Sequence, residues 1–163
     1  MSNPKNKKEK TFLGIDYGQR RIGLAYAASP LFISLPIGCI EAGNTVEATA
    51  KILFNIIQER SVSCVVLGNP IPMQKGQKSA LQEEITKLSS LIQESCGVEV
   101  ILWDERLSSA QAERMLKGDC GLSRKKRKGK TDTIAATLIL TSFLESSPPK
   151  IFLKKTCPKP PVR

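Results

Sequence analysis

The apolar pattern of the chain begins strand-like and turns helical. From Thr11 to Ala28 the sequence TFLGIDYGQRRIGLAYAA holds two apolar runs, Phe12 to Ile15 and Ile22 to Ala28. Between them lie Asp16, the turn Tyr17-Gly18-Gln19 and two arginines. This reads as a strand over 11–16, a tight turn and an antiparallel strand over 21–28. Ser29-Pro30 marks a further turn before a third strand over 31–40. Proline lacks a ladder donor, so Pro36 predicts an edge position or a bulge for that strand.

The period then lengthens. Asn44 reads as a helix N-cap with Glu47 as its capping-box partner. The helix runs to about Arg60, with Ile52, Leu53, Ile56 and Ile57 on one face. The short apolar run over 62–67, VSCVVL, suits a buried parallel strand after a crossover helix. A loop rich in Gly, Pro and Lys follows. Ser79 and Gln82 form a second capping box for a helix ending near Gly97. A buried-type strand over 98–103 leads into Asp104-Glu105-Arg106, and a shorter helix is expected over 108–117. Residues 118–130 read as an exposed basic loop. Thr131 reads as the cap of a last helix, apolar almost all round and so buried on more than one side. The order β-β-β-α-β-α-β-α-α predicts a mixed sheet with helices on both faces.

At 163 residues and 40% hydrophobic content, this is enough for one aliphatic core. We expect a basic arm over 1–10, a folded domain over 11–147 and a basic, Pro-rich tail over 148–163. No apolar run approaches the ~20 residues of a membrane span, and the charged N-terminus lacks the apolar segment of a secretory signal. A cytoplasmic location is expected. Five widely spaced cysteines without a CxxC pair suggest free thiols.

The net charge is +10. The arm, the block RKKRKGK at 124–130 and the tail hold more positive charge than that, so the rest of the chain is net acidic. Concentrated cations suit a polyanion, most simply nucleic acid. The absence of histidine excludes Ser-His-Asp and Cys-His catalysis and histidine metal ligation. Any catalysis must then run on carboxylates, lysines or a hard metal held by oxygens.

Four acids lie at predicted element boundaries: Asp16, Asp104, Glu105 and Asp132. Ligands gather beyond the carboxyl ends of parallel strands, and a helix packed on the sheet can present its first turn there. Converging carboxylates without histidine read as a Mg²⁺ or Mn²⁺ site. Two such ions roughly 3.5–4 Å apart can clamp the attacking and leaving oxygens of a phosphodiester displacement. Each acid also has an ordinary alternative. Asp132 would stabilise a helix N-terminus, Asp104 would end a strand, and Glu105 would pair with Arg106.

Four ordered blocks over about 11–145 resemble the YqgF (RuvX) family of ribonuclease H-like proteins. They are Gly14-Ile15-Asp16-Tyr17-Gly18 with Arg21-Ile22-Gly23-Leu24-Ala25; Val66-Leu67-Gly68 leading to Pro70, Met73 and Gly76; Asp104-Glu105-Arg106-Leu107-Ser108-Ser109; and Lys130 and Asp132 with Ala135-Ala136 and Ile139-Leu140. The resemblance implies a ribonuclease H-like fold with a mixed five-stranded sheet. It implies a metal-dependent nuclease acting on structured nucleic acid, either maturing the 5′ end of 16S ribosomal RNA, with ribosomal particles as partners, or resolving Holliday junctions. On it, Asp16, Glu105 and Asp132 match the acidic positions, with Asp104 as an alternative ligand. Arg20, Arg21 and Arg106 would face phosphate. Lys75, Lys78 and the block Arg124, Lys125, Lys126, Arg127, Lys128 and Lys130 would guide the backbone. The rival classes are a non-catalytic nucleic-acid-binding module and a small ATP-binding domain, since a strand ending GIDxG also opens actin-like folds.

Overall fold

The computed structural model describes residues 9–70, 76, 79–104 and 124–146, with side chains in the last segment from 130 onward. Five strands form one sheet: β1 (Thr11–Tyr17), β2 (Arg21–Ala28), β3 (Leu35–Glu41), β4 (Cys64–Asn69) and β5 (Glu99–Asp104), in the order β3-β2-β1-β4-β5. β1 pairs antiparallel with β2, and β2 with β3. β4 lies parallel to β1, and β5 parallel to β4. The carboxyl ends of β1, β4 and β5 therefore share one edge of the sheet.

Helices cover both faces, as the apolar pattern predicts. α1 (Val46–Glu59) and α2 (Ala80–Cys96) pack on one face, and α3 (Arg124–Ser146) on the other. Strand alternation divides the core between them. Leu13, Ile15 and Tyr17 of β1 and Val65 and Leu67 of β4 join α1 and α2. Phe12, Cys64 and Val66 join Ala136, Ile139, Leu140, Phe143 and Leu144 of α3. β4, covered on both sides, is buried through its first five residues.

Several local expectations hold. Ser79 and Gln82 form the capping box of α2, and Gly97 ends that helix in the left-handed conformation at φ 65°. Pro36 lies on edge strand β3, opposite Ala25, where the register shifts. Others shift. β3 starts at Leu35 rather than 31, because Phe32 adopts φ 50° and its N–H returns to the Ala28 carbonyl. The N-cap of α1 is Thr45, not Asn44: its hydroxyl accepts from the Ala48 N–H, while Glu47 pairs with Lys87 of α2. Among the described residues, no helix is long and apolar enough to cross a membrane.

The largest correction concerns 124–130. This block is not a loop but the first turns of the 23-residue helix α3, so Thr131 and Asp132 lie inside the helix rather than at its start. Arg and Lys are good helix formers, and Gly129 costs only about 1 kcal/mol relative to alanine. A helix already held downstream extends without a new nucleation cost. Nor is α3 equally buried all round. Ala135, Ala136, Ile139, Leu140, Phe143 and Leu144 form its buried stripe, while Ile134 and Leu138 are half-buried. The helix expected over 108–117 lies outside the described residues.

Two glycines let α3 settle on the sheet. A Cβ on Gly14 would lie 2.8 Å from the Leu140 Cβ and 3.0 Å from the Ala136 carbonyl oxygen. A Cβ on Gly23 would lie 1.9 Å from the Asp132 carbonyl oxygen. The second clash is with backbone, which no rotamer change relieves. We predict that Gly23→Ala destabilises the fold by about 3 kcal/mol in urea unfolding, the upper end of ordinary overpacking. Gly14→Ala, whose nearest approach is 2.8 Å rather than 1.9 Å, should cost less. An equal or reversed ranking would contradict this packing.

Candidate active site at the carboxyl edge of the sheet

Asp16 is the penultimate residue of β1 and half-buried. Its neighbours Ile15 and Tyr17 belong to the core under α1 and α2. Alternation therefore sets Asp16 on the opposite face, with Phe12 and Gly14, beneath α3. Its register partner on β2 is Gly23. The Asp132 backbone rests on that same Gly23, so the two acids come to the same part of this face although 116 positions separate them in sequence.

Cys39 reports their convergence. It pairs with Gly23 on the other side of β2, and its Sγ lies 4.0 Å from Asp132 Oδ2. The residue is exposed, but its thiol is partly screened from water. That screening pushes the thiol pKa above its ordinary value, and the carboxylates of Asp132 and then Asp16 push it the same way. The Arg21 guanidinium and a hydrogen bond with the Ile22 backbone act against them. Asp16, Asp132 and Arg21 thus share one electrostatic neighbourhood around a thiol kept neutral.

The β1–β2 turn is held from the other side. Tyr17 donates its hydroxyl to Glu84 Oε2 at 2.8 Å, and Gln19 Nε2 donates to Glu84 Oε1 at 3.1 Å. One carboxylate on α2 thereby clasps the residues on either side of Gly18. Gln82, the capping residue of α2, also donates to the Pro70 carbonyl at 2.8 Å and ties the exit of β4 to the same helix. Burial first, and then Glu84, push the Tyr17 phenol up to about 12.

The remaining candidates separate. Asp104 ends β5 opposite Asn69 and is exposed. Alternation groups it with Val100, in the α1 and α2 core, rather than with Ile101 and Trp103, which pack toward α3. It therefore falls on the face away from Asp16. Arg20 is exposed in the turn, Arg21 is half-buried at the start of β2, and Lys130 is exposed on α3. Arg124, Lys125, Lys126, Arg127 and Lys128 lie in the first turns of α3. Glu105, Arg106, Lys75 and Lys78 fall outside the described residues. Among the described residues no group of three or more His, Cys, Asp or Glu forms a metal-holding cluster. Asp16 and Asp132 supply a pair of oxygen donors, the chemistry suited to a hard divalent ion.

Sequence reasoning overlooked Cys39 and Glu84. An acid in the first turn of a helix is ordinary on dipole grounds, so nothing local marks Glu84 as a clamp on a distant turn. The neutral Tyr17 phenol is the form the fold favours. Its stabilisation is therefore complete below the ordinary value of 10.0 and is lost as pH rises toward about 12. We predict that Tyr17→Phe costs about 1–2 kcal/mol in urea unfolding at neutral pH. That difference should shrink between roughly pH 10 and 12; one that stays constant would rule out the Tyr17–Glu84 bond as its source.

The comparisons agree with this architecture. A 148-residue stretch is 82% identical to a Chlamydia abortus protein named "Putative pre-16S rRNA nuclease", covering 91% of this chain and 97% of that one. A Chlamydia pneumoniae protein of the same name is 63% identical over 153 residues, covering 94% of this chain and all of that one. Thermus thermophilus RuvC in complex with a Holliday junction substrate superposes with a TM-score of 0.54 at 14% identity, over 84% of this chain and 97% of that one. The fowlpox virus Holliday junction resolvase gives 0.51 at 14%, over 83% and 98%. These likenesses show a shared ribonuclease H-like fold. With residues 10–146 matching the family described as RuvX, Holliday junction resolvase, the chain belongs to the RuvX family.

Proposed function

We propose that the protein is a divalent-metal-dependent nuclease that hydrolyses phosphodiester bonds, acting on the 5′ end of the 16S ribosomal RNA precursor. The observation that carries the reading is the meeting of Asp16 and Asp132 on one side of the sheet, at the edge where β1 and β4 end. Two close carboxylates repel one another, and a bound cation relieves that repulsion. Asp16 and Asp132 would hold Mg²⁺ or Mn²⁺, joined by Glu105, which follows β5 directly in sequence. Such an ion would supply an activated water and charge neutralisation for the departing oxygen.

The chain's own residues do the rest. Arg21, at the start of β2, offers a fixed cation beside the acids for a phosphate oxygen. Glu84 holds the turn that carries Asp16 into position. Arg20 and Arg106, with Lys75, Lys78 and the basic block 124–130, attract and align the polyanion around this centre. The names of relatives at 82% and 63% identity support ribosomal RNA precursor as substrate. The family description supports a second reading, cleavage of branched DNA. On the first reading the protein works in the cytoplasm, with ribosomal particles as partners.

We predict that purified protein cuts a 16S precursor fragment in the presence of Mg²⁺ or Mn²⁺, and that chelation abolishes the cut. Asp16→Asn should lower the rate by at least about 10²–10³-fold, the scale of losing a main source of charge stabilisation. Circular dichroism and thermal melting would check that the variant folds. Cleavage of a four-way DNA junction instead would select the second reading. Cleavage of neither, with binding indifferent to Asp16→Asn, would leave a binding module and refute the nuclease.

A further inference from the structure

The ladder between β1 and β4 stops before either strand does. Its last register pair is Ile15↔Leu67, whereas β1 runs on through Asp16 to Tyr17 and β4 through Gly68 to Asn69. On its other side β1 stays paired with β2 as far as Tyr17↔Ile22. The last rungs of a strand are those that open most readily. Asp16 therefore lies on a strand end that, within the sheet, only β2 braces.

The start of α2 spans this level from the face opposite the acids. Gln82 and Glu84 are half-buried, on either side of the exposed Glu83. Residues two apart on a helix diverge, so the pair reaches two different strands. Glu84 holds the end of β1: Oε2 accepts from the Tyr17 hydroxyl at 2.8 Å, and Oε1 accepts from Gln19 Nε2 at 3.1 Å. Gln82 holds the exit of β4: Nε2 donates to the Pro70 carbonyl at 2.8 Å, and Oε1 accepts from the Ser79 N–H at 3.1 Å. Both polar atoms of each side chain are engaged, so neither is free to turn. Asp16 is one planar peptide from Tyr17. A shift of the Tyr17 backbone is thus carried through the sheet to the Asp16 carboxylate.

We propose that the start of α2 is a bracket that sets the spacing of β1 and β4 where their ladder has stopped, with Glu84 and Gln82 as positioning residues for the cation held at Asp16. The proposal rests on the metal-dependent nuclease reading. Both residues act from the opposite face of the sheet, Glu84 through Tyr17 and Gln82 through Pro70. Groups that stand behind a ligand set its aim, and losing one typically costs about 10–100-fold in metal affinity.

The test measures Mn²⁺ binding by the full-length protein, by isothermal titration calorimetry with the metal alone. Glu84→Ala should raise the Kd at least about 10-fold. Glu84→Gln removes the same charge but keeps an acceptor for the Tyr17 hydroxyl and an amide that can pair with that of Gln19, so it should bind close to wild type. Tyr17→Phe, which keeps the ring and loses one of the two clasping bonds, should fall between them. Gln82→Glu keeps the capping box but loses the donor to Pro70. Its Kd should rise even though the added charge by itself favours a cation. Ile92→Val, a truncation in the buried core of the same helix, controls for stability and should leave the Kd unchanged. Circular dichroism and thermal melting would check that each variant is folded at the temperature used. An unchanged Kd in Glu84→Ala or in Gln82→Glu would overturn the bracket. Equal losses in Glu84→Ala and Glu84→Gln would trace the effect to charge and overturn it too, as would a matching loss in Ile92→Val. A wild type that binds no Mn²⁺ would refute the metal-dependent reading and the bracket with it; wild-type binding that the variants leave unaltered would refute the bracket alone.

Discussion

The contact between the Asp132 backbone and Gly23 is the constraint on which the site depends. A helix that packs on a sheet through ordinary side chains stands about 10 Å from it. Here the absence of a Cβ at Gly23, and at Gly14 farther along, lets α3 descend until its carbonyls meet the strands. Large apolar residues downstream hold it there: Ile139, Leu140, Phe143 and Leu144 are all buried against the sheet. Burying each is worth about 1.5–3 kcal/mol. That is enough to keep two carboxylates close together against their mutual repulsion. The apolar end of α3 thus fixes the position of its polar end.

The acids are also held from the opposite face. Glu84 on α2 accepts from both Tyr17 and Gln19, so the turn after Asp16 is tied to a helix that never reaches the α3 side. One residue of β1 is shaped by both layers: Ile15 and Tyr17 bury themselves under α1 and α2, and this forces Asp16 toward α3. The same alternation sends Asp104 to the other side. The side on which Asp104 falls is therefore a matter of strand parity, which its spacing in the sequence from Asp16 does not reveal.

Charge is distributed to match. The chain outside its termini and the opening turns of α3 is net acidic, and the cations concentrate in those three segments. Arg21 is the exception, a half-buried cation among the acids. It offsets part of their field and keeps the neighbourhood from becoming uniformly repulsive to phosphate.

The strands were legible from their alternation, the buried parallel strand from its unbroken apolar run, and α2 from its capping box, because each is set by neighbours in sequence. Asp16 stood out as an acid near a strand end for the same reason, whereas Asp132 was picked out by a helix start that lies eight residues earlier. The basic block was misread because Thr131 and Asp132 mimic a cap, and cap chemistry and helix interior differ only in backbone angles that composition does not encode. The role of Glu84, the side on which Asp104 falls and the proximity of Cys39 to Asp132 were invisible for a different reason. Each depends on which layers face one another across the sheet, a relation between residues tens of positions apart. Local chemistry determined the elements and their candidate acids; packing against glycine decided which of those acids meet.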